Sequence, residues 1–374
     1  MKTYLVGGAV RDQQLNLPVT EKDWVVTGAT TEEMLAKGFV QIDADFPVFK
    51  HPQTSEEYAL ARTEKKQGTG YKGFIVDSGP AVSLEQDLAR RDLTINAIAM
   101  DEAGNLVDPY RGLEDLRDGK LRHVTEAFVE DPVRLIRAAR FAAVLGQQGF
   151  SISHETFACM KQMSEAEELK TIKPERLLRE MYKALAAAQC WKFFKVLGKC
   201  GALDLLLPGI NHWINGKQMI HGEDAEPILA LQRATKLTDD ILVRLVAVMY
   251  QAVVTADFEL GNYLPIEKNL QQLLAVVKQH GVDLLDGSNP EKLLVDLERS
   301  GAFKQGVLFN QVLLVLQAVF PEQLERINGL HQIRQQLKSV SSEDLMKKGF
   351  NGKQLGQEIQ RQRRLLLEKW LGNS

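Results

Sequence analysis

Two short motifs near the N-terminus constrain what this chain of 374 residues can fold into. In YLVGGAVRD an apolar strand runs into the Gly7-Gly8 pair and a short helix, and EKDWVV opens a second apolar strand. Glycine lets a backbone approach a ligand closely, and free N–H groups at a helix start favour anions. The pattern predicts a phosphate site at Gly8 and Arg11, although a plain tight turn with a solvated Arg11 would give the same pattern.

Carboxylates open the second strand. Glu21 and Asp23 are two residues apart, so in a strand they project from the same face. Mg²⁺ prefers carboxylate and phosphate oxygens, and a paired-metal site stabilises both the attacking and the leaving oxygen of phosphoryl transfer. Glu57, which opens the strand-like EYALAR, is the candidate for a third acidic residue. We therefore expect nucleotidyl transfer with Glu21, Asp23 and Glu57 as catalytic carboxylates, the structural alternative being a charged hairpin end.

A polar group in RRDLTINAIAMD forms the second candidate motif. Asp92 and Asn96 are four residues apart, which on a helix places them on one face. Arg91 can clamp a phosphate with two parallel hydrogen bonds, and Asp92 or Asn96 can bind a ribose hydroxyl. A capped helix with solvated arginines is the structural alternative.

The third motif is EDPVRLIRAARFAA, in which Asp131 precedes Pro132 as an N-cap would. A functional interpretation competes with that one. Cytosine and adenine both present an amino donor beside a ring-nitrogen acceptor, whereas uracil and guanine present the reverse order. An Asp131 acceptor beside an Arg134 donor therefore matches C and A together. Arg137 and Arg140 would hold phosphate or stack on the base.

The bulk properties are those of a globular protein, with 44% apolar and 25% charged residues. A net charge of −3 means that a nucleic-acid partner needs a local basic face. Three cysteines without metal-type spacing predict reduced thiols. No apolar run approaches the length of a membrane span, so we expect a cytoplasmic protein without a membrane partner.

The distribution of strand, helix and glycine patterns along the chain predicts three regions. Residues 1–125 mix short strands with helices and include a glycine-rich stretch, Gln67–Ser83, that we interpret as a mobile loop. Helical periodicity dominates from residue 126, so we expect a helical neck over 126–210 that carries the base-recognition motif. Residues 211–374 are expected to form a helical body and a basic tail that binds RNA. The predicted fold class is α+β, with a small head of mixed strands and helices followed by an all-helical remainder.

Taken together and in this order, the motifs resemble those of the bacterial tRNA nucleotidyltransferases that build the 3′-terminal CCA of tRNA. That family belongs to the polymerase-β superfamily, in the group that also contains bacterial poly(A) polymerases. Each motif alone is weak, but their collinear order over the first half of the chain is specific. The matching stretches are YLVGGAVRD, EKDWVV, EEYALARTE, RRDLTINAIA, DPYRGLEDL, EDPVRLIRAARFAA and KPERLLRE.

The resemblance implies a polymerase-β-type head, two Mg²⁺ ions, and ATP, CTP and tRNA as partners. The tRNA 3′-hydroxyl would attack the α-phosphate and release pyrophosphate. Glu21 and Asp23 would be the metal ligands, with Glu57 as the third acid. Nucleotide contacts would come from a larger set: Gly8, Arg11, Arg91, Asp92, Asn96, Asp131, Arg134, Arg137 and Arg140.

Two departures from the family pattern have consequences. The usual acid pair is Asp-x-Asp, whereas this chain has Glu21, which is one methylene longer. We expect activity to survive through backbone adjustment, and a changed metal preference is the alternative. Many relatives carry a C-terminal HD phosphohydrolase domain, but no histidine of this sequence is followed by aspartate.

We therefore predict that the protein does not hydrolyse 2′,3′-cyclic AMP in the presence of Ni²⁺ or Mg²⁺. A colorimetric phosphate assay after phosphatase-coupled incubation measures this, and clear phosphate release would overturn the prediction.

Three functions remain open from the sequence. Full CCA addition is favoured by the glycine-rich loop before the RRD segment. A poly(A) polymerase or a partial enzyme that adds only A or only CC shares the same motifs. A non-catalytic nucleotide- or RNA-binding relative is the third possibility, because of Glu21. The oligomeric state, monomer or homodimer, is left open.

Overall fold

The computed structural model describes residues 1–43, 46–66, 68, 74–215, 226–255 and 258–372. The chain forms two compact units, Met1–Pro208 and Gly209–Ser374. The predicted head and all but the last two residues of the predicted neck fall in the first unit, and the boundary between head and neck at residue 125 stays a prediction.

The first unit begins with short strands and helices and continues with longer helices. Its strands are β1 (Lys2–Val6), β2 (Asp23–Thr27), β3 (Val40–Gln41), β4 (Val48–Lys50), β5 (Glu57–Leu60), β6 (Thr63–Lys66), β7 (Phe74–Asp77), β8 (Ala99–Met100), β9 (Leu106–Val107), β10 (Lys120–Leu121) and β11 (Ser151–Ile152). Its helices are α1 (Gly8–Gln14), α2 (Thr31–Ala36), α3 (Leu84–Ala89), α4 (Gly112–Arg117), α5 (Val133–Val144), α6 (His154–Ser164), α7 (Pro174–Leu185), α8 (Trp191–Lys199) and α9 (Ala202–Leu206).

A mixed sheet of order β3-β4-β5-β2-β1-β8-β9 carries the N-terminal motifs. β2 pairs parallel with β5 and antiparallel with β1. Because strand side chains alternate, Val25 packs on one face against Leu88 of α3, and Val26 packs on the other against Met34 of α2. Both layers are apolar, which fixes the register of β2 and so the position of Asp23 at its first residue.

Capped helices flank the sheet. Thr30 and Ser83 each accept a hydrogen bond from the backbone three residues on, and the residue at that position returns one. These capping boxes satisfy N–H groups that a helix start leaves without partners. From α5 onward the unit is helical, and α5 packs against α7 and α8.

The structure adds detail to three sequence predictions. Part of the predicted loop Gln67–Ser83 is strand β7, which pairs antiparallel with β6, while residues 67 and 69–73 of that loop lie outside the described residues. The predicted helical neck contains one short strand, β11, which pairs parallel with β10. In the helical stretch WKFFKVLGKCGALDLLL, the predicted helix end near Gly201 is the break between α8 and α9, where Gly201 has a left-handed φ of +85°.

The described part of the second unit consists of α-helices joined by short 3₁₀ turns and loops. Arg363 of the predicted basic tail stacks on Phe303, with its guanidinium carbon 4.0 Å from the ring centroid, so this arginine stabilises the unit rather than projecting freely. The helices are α10 (Asn211–Asn215), α11 (Glu226–Leu237), α12 (Ile241–Thr255), α13 (Lys268–Asp286), α14 (Pro290–Arg299), α15 (Gly306–Val319), α16 (Leu324–Lys338), α17 (Ser342–Lys347) and α18 (Gly352–Gly372).

Within the described residues, no helix taken singly has the length and apolarity to cross a membrane. By length and composition alone, one bent pair, Gly306–Val319 with Pro321–Lys347, satisfies that criterion.

Candidate active site

A cleft of about 550 Å³ in the first unit gathers the predicted motifs. Its described lining carries nine basic and five acidic side chains, an excess of positive charge that suits a polyanion such as a triphosphate. Of the predicted site residues, all of them described, only Glu57 is absent from this lining. Those that line it are Gly8, Arg11, Glu21, Asp23, Arg91, Asp92, Asn96, Asp131, Arg134, Arg137 and Arg140.

The glycine turn brings backbone and guanidinium close together. Gly7 ends β1 with φ +69° and donates its N–H to the carbonyl of Ile98 at 3.3 Å. A Cβ at Gly7 would lie 3.0 Å from Nη1 of Arg91, so a larger residue would be strained and would also displace that arginine. The turn therefore lies next to the guanidinium group of Arg91, which lines the cleft, and this arrangement suits a phosphate-binding turn.

The acid pair lies at the start of β2. Asp23 is its first residue and is opposite Val6 of β1 and Glu57 of β5. Glu21 precedes the strand, so strand alternation does not explain its proximity to Asp23, and that part of the sequence argument is wrong. Desolvation by the surrounding protein raises the pKa of Asp23, with Arg91 opposing the shift and Glu21 adding to it. Two carboxylates are thus close enough to repel one another.

These two carboxylates fit a divalent cation. Mg²⁺ is usually held by one or two carboxylates together with substrate phosphates and water, and a cation between Glu21 and Asp23 would relieve their repulsion. Among the described side chains, no group of three His, Cys, Asp or Glu is arranged to hold a metal. The role of Glu57 as a third catalytic acid stays a prediction.

The RRD segment is not helical, contrary to the spacing argument. α3 ends at Ala89, Leu93 forms an isolated bridge with His123, and Thr94–Asn96 make one 3₁₀ turn. The expected contact nevertheless forms, because Nδ2 of Asn96 donates to Oδ1 of Asp92 at 3.1 Å. The segment is held by tertiary contacts and not by helical geometry.

A hydrogen-bonded chain connects α1 to α5 across the cleft floor. Nη1 of Arg11 donates to Oδ1 of Asn96 at 2.7 Å, Asn96 donates to Asp92, and Nε of Arg137 donates to Oδ2 of Asp92 at 2.7 Å. The amide of Leu93 adds a further bond to Oδ1 of Asp92 at 2.8 Å. Asp92 therefore orients Arg137 and, through Asn96, Arg11.

The charge state of Asp92 follows from this environment. Burial favours the protonated acid, but the cation of Arg137 and the hydrogen bonds from Asn96, Arg137 and Leu93 outweigh it and hold the pKa of Asp92 well below its usual range. The Asp92 carboxylate in turn raises the pKa of Arg137. Both groups are charged throughout the physiological range.

We predict that Asp92→Asn lowers the free energy of unfolding by about 2–4 kcal/mol at pH 7, because it removes a buried carboxylate that pairs with Arg137 and accepts three hydrogen bonds. Because the pKa of Asp92 is lower in the folded than in the unfolded protein, its carboxylate stabilises the fold at pH values above the unfolded-state pKa, which is near 4. This stabilisation is lost progressively as the pH falls below about 4. The difference between wild type and variant should therefore shrink between pH 5 and pH 3 in urea unfolding.

Asp118→Asn is the matched control, since its ion pair with Arg117 is exposed. It should change stability by no more than about 0.5 kcal/mol at either pH. A pH-independent loss in Asp92→Asn would show that the ion pair is not the cause.

Asp131 and Arg134 are positioned at the start of α5. Oδ1 of Asp131 accepts a hydrogen bond from the amide of Val133 at 3.0 Å, so the predicted capping role is present, with Pro132 rather than Asp131 at the N-cap position. Arg134 is buried, and its Nη1 and Nη2 donate to the carbonyls of Ala127 and Arg90, each at 2.6 Å. These bonds use two of five guanidinium N–H groups and fix the orientation of the rest.

A second wall of the cleft combines Arg90 and Arg91 with three residues that were not predicted from the sequence: Arg62, Glu64 and Asp87. Asp87 is fully buried and accepts hydrogen bonds from Arg90 at 2.8 Å, from Arg91 at 3.2 Å and from the amide of Arg62 at 3.2 Å. Glu64 accepts from both Arg62 and Arg90. Although burial opposes it, Arg90 and Arg91 lower the pKa of Asp87.

Two arginines of this wall, both of which line the cleft, carry donors that no described residue satisfies. Within the described part of the chain, Nε of Arg91 and Nη1 of Arg62 are buried and have no hydrogen-bond partner. Buried N–H groups of this kind are costly unless a ligand satisfies them. An anionic oxygen in the cleft would do so.

The far end of the cleft is formed by α5 and α7. Nε of Arg140 donates to Oε2 of the buried Glu180 at 2.6 Å. Arg140 and Glu180 lie 40 positions apart, and only their shared helical periodicity would have hinted at the contact. Phe141, Arg176 and Lys183 complete this end of the lining.

A strand, glycine turn and helix beside an acid pair, facing a wall of arginines, define a nucleotidyl-transferring head. Family models described as "Poly A polymerase head domain" and "Probable RNA and SrmB- binding site of polymerase A" match residues 3–122 and 149–214. A "CCA-adding enzyme" of Marinobacter nauticus is 42% identical over 97% of both chains, and a "Multifunctional CCA protein" of Thioalkalivibrio sulfidiphilus is 39% identical over 97% of both. The chain therefore belongs to the CCA-adding family of tRNA nucleotidyltransferases.

Solved structures agree on the fold. A CCA-adding enzyme in complex with ATP superposes with a TM-score of 0.71 over 99% of this chain and 86% of that one, at 20% identity. The predicted fold class, a mixed-sheet head with a helical remainder, is confirmed, as is the family predicted from the motifs.

Proposed function

We propose that this protein adds and repairs the 3′-terminal CCA of tRNA from CTP and ATP without a nucleic-acid template, releasing pyrophosphate. The observation that carries the proposal is the convergence of three motifs on one cleft: the acid pair, the RRD segment and the Asp131–Arg134 pair. The acid pair suits metal-assisted transfer, and the RRD segment suits contacts to phosphate and ribose. The Asp131–Arg134 pair suits selection of the base. The names of the relatives point to the same reaction.

The arginines would bind the triphosphate. Arg91 and Arg62 offer buried N–H donors to phosphate oxygens, and Arg11 belongs to α1, the helix that follows the glycine turn. Charge-assisted hydrogen bonds of this kind are stronger than neutral ones and give geometric specificity. They would hold the α-phosphate beside Asp23.

Base selection would come from Asp131 and Arg134. The carboxylate would accept a hydrogen bond from the amino group of cytosine or adenine, and a guanidinium N–H would donate to the adjacent ring nitrogen. Because Arg134 is fixed by two main-chain carbonyls, it cannot readily turn to fit uracil or guanine. One rigid pair would thus accept both CTP and ATP.

Divalent metal use is general in this family, and we propose Mg²⁺ as the ion, with Glu21 and Asp23 as its ligands. When bound, it would neutralise charge on the attacking and leaving oxygens. Glu21 reaches one methylene further than an aspartate would, so backbone adjustment before β2 must compensate. The substrates support our proposal that the reaction takes place in the cytoplasm.

The test uses tRNA that ends at the discriminator base, Mg²⁺, and labelled CTP and ATP supplied separately and together. We expect two C additions with CTP alone and a completed CCA only with both nucleotides. A long A tail would instead favour poly(A) polymerisation, and C or A addition alone a partial enzyme. No incorporation, with nucleotide binding retained, would favour a non-catalytic binding protein.

A further inference from the structure

The ring of Phe141 lies among three guanidinium groups. The guanidinium carbons of Arg140, Arg11 and Arg137 lie 4.0, 5.2 and 5.8 Å from its centroid. The ring is only 4% exposed, yet it belongs to the lining of the cleft. Arg137 and Arg140 come from the same helix, α5, whereas Arg11 comes from α1, so the ring joins two elements of the site.

Each of these arginines also has its own carboxylate. Arg11 pairs with Asp12 at 2.8 Å, Arg137 with Asp92 at 2.7 Å, and Arg140 with Glu180 at 2.6 Å. Each acid orients its own arginine, and the ring of Phe141 is a contact that all three arginines share.

A π face suits this position better than a fourth acid would. The ring attracts cations through its quadrupole but takes none of their N–H donors. A carboxylate in its place would cancel a positive charge and would occupy donors that an anionic ligand needs. Three cations can therefore stay close together and keep N–H groups for phosphate oxygens.

We propose that Phe141 is a positioning residue for the triphosphate of the incoming nucleotide, and that it acts by holding Arg11, Arg137 and Arg140 through cation–π contacts. The inference rests on the proposed function, because it assigns these arginines to a nucleotide. It does not involve base choice, which belongs to Asp131 and Arg134.

A purely packing role for Phe141 makes a different prediction. Packing depends on the shape of the ring, whereas cation–π attraction depends on its electron distribution. Fluorination changes the second with little change in the first. The measurement is therefore equilibrium binding of CTP and ATP to protein that carries 3,4,5-trifluorophenylalanine at position 141.

We expect the Kd for CTP and for ATP to rise together by about tenfold, which corresponds to about 1.4 kcal/mol, with the preference over UTP and GTP unchanged. Monofluorophenylalanine should give an intermediate value. The same substitution at Phe150, which is buried in the same unit but lies outside the cleft lining, should leave both Kd values unchanged.

Natural substitutions give a second comparison. Phe141→Tyr keeps the π face and should bind nucleotides within about threefold of wild type, whereas Phe141→Leu should match the loss caused by fluorination. Thermal denaturation of each variant accompanies the binding measurements. If Phe141→Leu does not fold, the fluorinated series alone decides.

The outcomes separate this inference from the proposed function. Wild-type protein that extends tRNA, with Kd values insensitive to fluorination, would overturn the positioning role and leave the function intact. Wild-type protein that binds CTP and ATP but extends no tRNA would overturn the function, while the dependence of Kd on fluorination would still support or contradict the role of Phe141.

Discussion

Replacing Asp23 with alanine is expected to lower the rate of CTP and ATP incorporation by about a thousandfold or more. Asp23 is the first residue of β2. Asp23 and Glu21 form the pair of carboxylates in the cleft lining that fits a divalent ion. Stabilisation of the attacking and leaving oxygens by such an ion is worth several kcal/mol, and each 1.36 kcal/mol is a factor of ten in rate. Both nucleotides should lose rate equally, because the chemical step at the α-phosphate is the same for either base.

The fold should survive this change. Asp23 is the first residue of a strand whose register is set by Val25 and Val26, and its carboxylate is repelled by Glu21. We therefore expect thermal stability equal to or slightly above that of wild type. The measurement is single-turnover primer extension on tRNA, with the melting temperature recorded for the same preparation.

Two further variants accompany Asp23→Ala, one as a control and one as a test of the third predicted acid. Asp118→Ala removes an exposed carboxylate outside the cleft lining and should leave the rate unchanged. Glu57→Gln tests the third predicted acid, whose strand is in register with Asp23. An Asp23→Ala variant that keeps more than about a tenth of the wild-type rate would contradict a metal-binding role for this residue.

The N-terminal part of the site was predictable from sequence because its information is local. A positive-φ glycine, an apolar strand and an acid at the strand's first residue all lie within 23 positions of one another. Asp131 and Arg134 were likewise predictable, because an acid followed by proline is a short pattern that marks a helix start. These features depend on backbone geometry that short patterns specify.

The second wall depends on contacts that a single sequence does not encode locally. Glu64 meets Arg90 across 26 positions, and Asp87 meets the amide of Arg62 across 25. The RRD segment shows the same limit, since the bridge from Leu93 to His123 overrides its helical spacing. Buried charges need partners, but which partner they find is decided by tertiary packing between segments far apart in the chain.

Replacing Asp131 separates the two roles that its carboxylate has in this site. Asp131→Ala removes both the bond to the Val133 amide and the acceptor for a base amino group. We expect the preference for CTP and ATP over UTP and GTP to fall by about 10- to 100-fold, which corresponds to the loss of one hydrogen bond of about 1.5–3 kcal/mol to a charged group. Stability should fall by about 1 kcal/mol, as for a lost helix cap.

Asp131→Asn is the matched variant that distinguishes these effects. Its amide oxygen still accepts from Val133, so the melting temperature should stay near that of wild type. Its amino group would face the amino group of cytosine or adenine, donor against donor, and selection should fail as it does in Asp131→Ala. Competition assays with all four nucleotides and thermal denaturation measure both properties on the same protein.

The decisive comparison is therefore between stability and selection across the two variants. If Asp131→Asn selects like wild type and Asp131→Ala loses only stability, the residue is a helix cap and base choice lies elsewhere in the cleft. If both variants lose selection while only Asp131→Ala loses stability, the carboxylate reads the base. Neither variant removes the bonds that hold Arg134 to the carbonyls of Ala127 and Arg90, so the orientation of Arg134 stays fixed in both. Only the hydrogen-bonding group at position 131 then changes, and this favours the second result.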